Sequence, residues 1–151
     1  MNQQIVNPRT GEFMLDKGFV LSGMTQDSDL ITHFGKERLI IRDFKNGYSH
    51  YMIHNLKLDD LYFILTVRFF KGRITRIEFV LQLLPYDGNA GWDSFDREEE
   101  IRKGKFMEQW MAKQIGREAK AHDWGEMGLS YDFHNLSYSC FISYRSDPED
   151  R

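Results

Sequence analysis

Apolar and polar residues alternate along much of this chain with the period of two that marks half-buried strands. The longest apolar run is Leu61 to Phe70; Lys71-Gly72 turns it, and Ile74 to Leu84 returns. Upstream, Leu39 to Phe44 is rich in β-formers, and Asn46-Gly47 is a strong type I′ hairpin signal. Tyr48 to Leu56 resumes the extended pattern and places Tyr48, His50, Met52, His54 and Leu56 on one face. Asp59-Asp60 marks the next turn. Together these segments predict a meander of about four antiparallel strands. A second hairpin follows near the C-terminus, from Glu126 to Tyr131 and from Ser137 to Tyr144. In its second strand Tyr138, Cys140, Ile142 and Tyr144 face one way, and Ser137, Ser139, Phe141 and Ser143 the other. Phe13 to Leu15 and Phe19 to Leu21 read as two short extended pieces around Asp16-Lys17-Gly18.

Two segments carry the helical period instead. Thr25 is a suitable N-cap for a short helix whose stripe is Leu30, Ile31 and Phe34, with Gly35 as its stop. A longer helix starts at a cap on Asp93 or Ser94 and ends at Gly116. Met107, Trp110, Met111 and Ile115 form its buried stripe, and Gly104 weakens its middle by about 1 kcal/mol relative to Ala. The fold class predicted is therefore α+β: an antiparallel sheet, made of a meander and a C-terminal hairpin, with two helices packed on one face. Residues 1–151 read as one such domain, with loose ends at 1–11 and 146–151.

Composition narrows the function. The formal net charge of −3 draws the chain neither to nucleic acid nor to an anionic membrane. Cys140 is the only cysteine, so no internal disulfide and no cysteine-based zinc site can form. The first residues have no basic stretch followed by an apolar one, and no apolar run is long enough to cross a bilayer. A cytoplasmic location is the expectation.

Candidate chemistry is sparse. His50 and His54 lie four residues apart on an extended strand, about 13 Å at ~3.3 Å per residue, too far to share a metal. His122 and Asp123 are neighbours on an extended chain and point apart, so Trp124 is better read as an anchored aromatic. Cys140, even with His134 nearby, sits in an apolar stripe where cysteine behaves as a small hydrophobe. The glycines at 72, 125 and 128 fit no phosphate-binding loop. No catalytic, cofactor-binding or metal residue is assigned. The densest charge cluster is Asp93, Asp96, Glu98, Glu99 and Glu100, which also suits a helix start followed by Arg102, Lys103 and Lys105. It follows a loop carrying Tyr86 and Trp92. Aromatic anchors beside a charged rim have the layout of a binding hot spot, so Tyr86, Asp87, Trp92, Asp93, Asp96, Glu98 and Glu99 are the candidate partner-binding residues.

Two stretches resemble known families. Leu21-Ser22-Gly23-Met24-Thr25, with Leu30, Phe34-Gly35 and the later Val67 to Ile74, is similar to a pattern in small α+β proteins. That group includes the outer-membrane assembly lipoproteins and the β-lactamase inhibitor proteins, and the resemblance implies protein binding. The chain lacks the signal peptide and lipid-anchored cysteine of that pattern, so an envelope role does not carry over. The second stretch is Trp110-Met111, Ile115-Gly116, Asp123 to Glu126, Ser130 to Asp132 and Ser137 to Tyr144. It looks like the end of small bacterial cytosolic immunity proteins encoded beside polymorphic toxins. This resemblance implies a stoichiometric inhibitor that docks on a cognate toxin, and it carries over no binding residue. Two other readings stand beside it. One is a small-ligand binder or enzyme with a pocket between sheet and helix, lined by Tyr48, His50, His54 or Tyr131. The other is a homo-oligomer, in its simplest form a homodimer, built through an unpaired edge strand.

Overall fold

The long strands form where the alternation places them, because each has one apolar row to bury and a second, mixed row that stays at least partly in water. In the computed structural model, which describes residues 4–84, 97–116, 121–132 and 137–145, the strands build two sheets. A two-stranded ribbon pairs β1 (Phe13–Met14) with β2 (Val20–Leu21). Seven strands form the main sheet: β3 (Ile40–Asp43), β4 (Tyr48–Leu58), β5 (Leu61–Phe70), β6 (Arg73–Gln82), β7 (Ala121–His122), β8 (Gly125–Asp132) and β9 (Ser137–Tyr144). Their order is β3-β4-β5-β6-β9-β8-β7 and every pairing is antiparallel. The meander thus runs from one edge to the middle, and the C-terminal hairpin attaches to β6 through β9.

Two helices, α1 (Asp27–Phe34) and α2 (Arg97–Ile115), complete the α+β fold on one face of this sheet. The core lies beneath them. Phe13, Phe63, Phe79 and Trp110 make a ring cluster with centroid separations of 5.1 to 6.0 Å, four of the five contacts being edge-on or steeply tilted. Met107, Trp110 and Met111 are buried as the helical spacing predicts. Tyr51 on β4 donates a hydrogen bond to the Asp27 carboxylate at 3.2 Å and so ties α1 to the same face. No described helix is long and apolar enough to cross a membrane.

Several local expectations change. α1 is capped at Gln26, not Thr25: the Gln26 N–H is bonded by the Asp29 carboxylate at 3.0 Å, while the Thr25 hydroxyl turns back to the Ser22 N–H. The Asn46-Gly47 turn is not a two-residue type I′ loop. Phe44 and Tyr48 close a three-residue loop in which Lys45 and Gly47, but not Asn46, take positive φ. Leu56 does not share the face of His54. A bulge between Ile53 and Leu56, with Asn55 at φ 54°, turns Leu56 into the core beside Ile53. A second bulge at Thr75 does the same for Ile74 and Ile77.

The N-terminal segment is docked, against the expectation of a loose start. Ile5 and Val6 are fully buried, and their N–H groups donate to the Gln114 amide oxygen at 2.7 and 2.9 Å. Gly104 proves to be a close approach between α2 and the sheet. A Cβ there would lie 2.8 Å from the Tyr138 ring, so the helix gives up some propensity to bring that ring in. Gly125, at φ 149°, has no room for a Cβ, which would sit 2.0 Å from the Ser143 carbonyl oxygen.

Candidate functional site

The second face of the main sheet is the candidate site. Among the described residues no helix or strand lies over it, because both helices and the β1–β2 ribbon pack on the other side. Its composition follows from the outward positions of the strands. One cross-strand row reads Arg42, His50, Arg68, Arg76, Ser143 and Glu126. The adjacent row reads Ile40, Met52, Thr66, Glu78, Phe141 and Gly128. Ile64 and Val80 pair across β5 and β6 in the next row along the strands.

Charge is organised around Glu78. Its carboxylate accepts from Arg68 Nη2 and from Arg76 Nε, each at 2.9 Å. The Arg76 guanidinium also lies 4.3 Å from the Phe141 ring centre, and Arg42 covers Phe44 at 5.0 Å. Arg42, Arg68 and Arg76 against Glu78 and Glu126 leave these rows slightly cationic, although the whole chain is acidic. His50 registers that field. Partial burial first, and then the Arg68 guanidinium, hold it below its usual value, with Glu78 opposing and Arg42 adding to the effect. The Arg68 Nε–H is buried with no hydrogen-bond partner among the described residues.

An open trough continues from this face around one end of the sheet. Gln26 and Asp27 at the start of α1, the Lys71-Gly72 turn, Trp124 and Arg145 line it. Trp124 is anchored as expected: its indole N–H donates to the Pro8 carbonyl at 3.1 Å, and its ring fills the space beside Gly11. Tyr144 donates to the Gly11 carbonyl at 2.6 Å from below.

The residues singled out from sequence fall as follows. Glu98 and Glu99 stand on the exposed first turn of α2, where Glu99 faces Arg102 at 3.8 Å and the neighbouring Glu100 faces Lys103 at 3.6 Å. Tyr86, Asp87, Trp92, Asp93 and Asp96 lie outside the described residues, as does His134. His54 contacts the Met52 sulfur at 3.0 Å on the open face. No group of three potential metal ligands occurs among the described residues. Cys140 is fully buried, and burial pushes its thiol up to about 12. Of the residues expected to line a pocket between sheet and helix, Tyr48, His50 and His54 sit on the open face, while Tyr131 lies 4.7 Å from the Tyr138 ring that packs against Gly104 of α2; the space under Trp110 holds the aromatic core.

Arg42, Arg68, Arg76 and Glu78 were not legible as a site from sequence. The available signal was the single charge in Leu61–Phe70, Arg68, at an outward position opposite another arginine in the next strand. No protein-family model, curated protein or solved structure matches the chain.

Proposed function

We propose that this chain is a non-catalytic protein-binding domain of the bacterial cytoplasm, and that the open sheet face is its docking surface. The observation that carries the reading is a seven-stranded sheet buried on one side, whose other side mixes Met52, Ile64, Val80 and Phe141 with an arginine row. Aromatic and arginine side chains are the types that dominate protein interfaces. An acidic partner fits the arginines, since the Arg68 side chain stays 40% exposed while its Nη2 holds Glu78. The resemblance of the C-terminal run supplies the specific form, an immunity protein that neutralises a cognate toxin by stoichiometric docking. In that form Glu98 and Glu99, exposed on the first turn of α2, belong to a surface separate from the open face.

The test takes the product of each gene adjoining this one, purified as a candidate toxin, and titrates it by calorimetry against the wild type and against Arg42→Glu, Arg68→Glu and Arg76→Glu. One-to-one binding that each reversal weakens by tenfold or more supports the reading. Binding that survives all three moves the interface off the open face. No binding to any of these products removes the immunity reading.

A further inference from the structure

We infer that β3 pairs antiparallel with β3 of a second copy, about a two-fold axis through Ile41, to give one continuous sheet. β3 is an edge strand four residues long, and all four of its residues are exposed. Leu39-Ile40-Ile41 is strongly β-forming, yet Ile40 is 56% and Ile41 39% exposed. Natural edges of this kind are normally guarded by charge, proline or a covering element. Here the two charges of the strand, Arg42 and Asp43, come after the isoleucines, and Lys36-Glu37-Arg38 stand before Leu39, so the isoleucines themselves carry no guard.

The backbone fixes the register. The Phe44 N–H donates to the Tyr48 carbonyl, so Phe44 belongs to a hydrogen-bonded pair with β4. Antiparallel ladders alternate, so Arg42–His50 and Ile40–Met52 are also hydrogen-bonded pairs. Ile41 and Asp43 are left with N–H and C=O groups that point away from β4. A two-fold axis through Ile41 joins these outward groups: Ile41 faces Ile41 of the second copy, and Asp43 faces Leu39. Ile40 then lies opposite Arg42 on the open side. No like charges meet, whereas an axis through Asp43, the next outward position, sets two aspartates face to face.

Packing agrees with that axis. Ile41 pairs across the strands with Tyr51, which is buried, so Ile41 stands at the unfinished margin of the core. A second Ile41 completes it. The pairing is short, so the dimer is concentration-dependent; it leaves the open face uncovered and joins the two copies' faces along β3.

Two measurements test this. Sedimentation equilibrium of the wild type should show a mass rising with concentration toward twice the 18.0 kDa of one chain, and Ile41→Lys should stay at one chain mass. Under mild oxidation Ile41→Cys should form a disulfide-linked dimer, because the two Cα atoms stand about 5.5 Å apart across the axis. Asp43→Cys should not, because its two sulfurs lie about 13 Å apart along the strands. Buried Cys140 is not available to compete. Circular dichroism of each variant confirms that it is folded. A wild type that remains one chain at every concentration, or Asp43→Cys crosslinking as readily as Ile41→Cys, overturns the inference.

Discussion

Replacing Gln114 with leucine should detach the N-terminal segment and lower global stability by about 3 kcal/mol. Gln114 is a polar residue on the buried stripe of α2, only 9% exposed, and its amide oxygen accepts from the N–H groups of Ile5 and Val6. The Gln4 side-chain amide adds a bond to the Gln114 carbonyl at 2.7 Å. Leucine keeps the volume and removes the acceptor. Two buried donors are then left unpaired, at about 1–3 kcal/mol each, or roughly 2–6 kcal/mol together. The chain can avoid that cost by releasing the segment to water, which forfeits the burial of Ile5 and Val6, worth about 1.5–3 kcal/mol apiece. The two routes cost similar amounts, so the loss settles near the lower half of the range. With a urea slope of about 2 kcal/mol per molar, the unfolding midpoint falls by roughly 1–2 M. Amide exchange should quicken at Ile5 and Val6, and also at Met14, which donates to the Ile5 carbonyl at 2.8 Å. Gln114→Glu keeps the acceptor and should lose less. A leucine variant whose midpoint and exchange match the wild type would refute the reasoning.

Further outcomes follow from the same geometry. Gly104→Ala gains about 1 kcal/mol of helix propensity but overpacks the Tyr138 ring, at about 1–3 kcal/mol, so a net loss near 1 kcal/mol is expected in urea melts. Tyr138→Ala in the same background should reverse its sign. Cys140 should resist thiol reagents in the native state and react on unfolding. Because its folded value is raised, its stabilising contribution is complete below pH 9 and is lost as pH rises through about 12, which alkaline melts of Cys140→Ala against wild type will show. His50 is shifted the other way. Its folded value is lowered, so the unfolded chain binds the proton first and stability declines as pH falls below 6.5. His50→Asn should flatten that part of the pH profile.

Much of the architecture was legible in the chain. The strand runs from Tyr48 to Gln82 are long, apolar and separated by two-residue turns, so local sequence and fold agree there. The stripe Met107, Trp110, Met111 was equally clear, because period 3.6 is a local property of the segment. The bulges at Asn55 and Thr75 were less so. Their trace is a pair of core residues three apart, Ile53 with Leu56 and Ile74 with Ile77, where strict alternation demands an even spacing. Gly104 read as a helix weakness, since a glycine's reason for being there can stand on a distant strand.

The sequence by itself determined the α+β class, the alternating strands and the faces of most side chains, because these depend on residues two to four positions apart. Tertiary structure decided the rest. Only the order β6-β9-β8 brings the C-terminal hairpin beside the meander and carries the arginine row on to Ser143 and Glu126. Only the fold reveals that Ile5 and Val6 need Gln114, more than a hundred residues away. The physical reason is the same in both cases. A local pattern fixes which way a side chain points, but the groups it meets are set by long-range pairing, which no local period encodes.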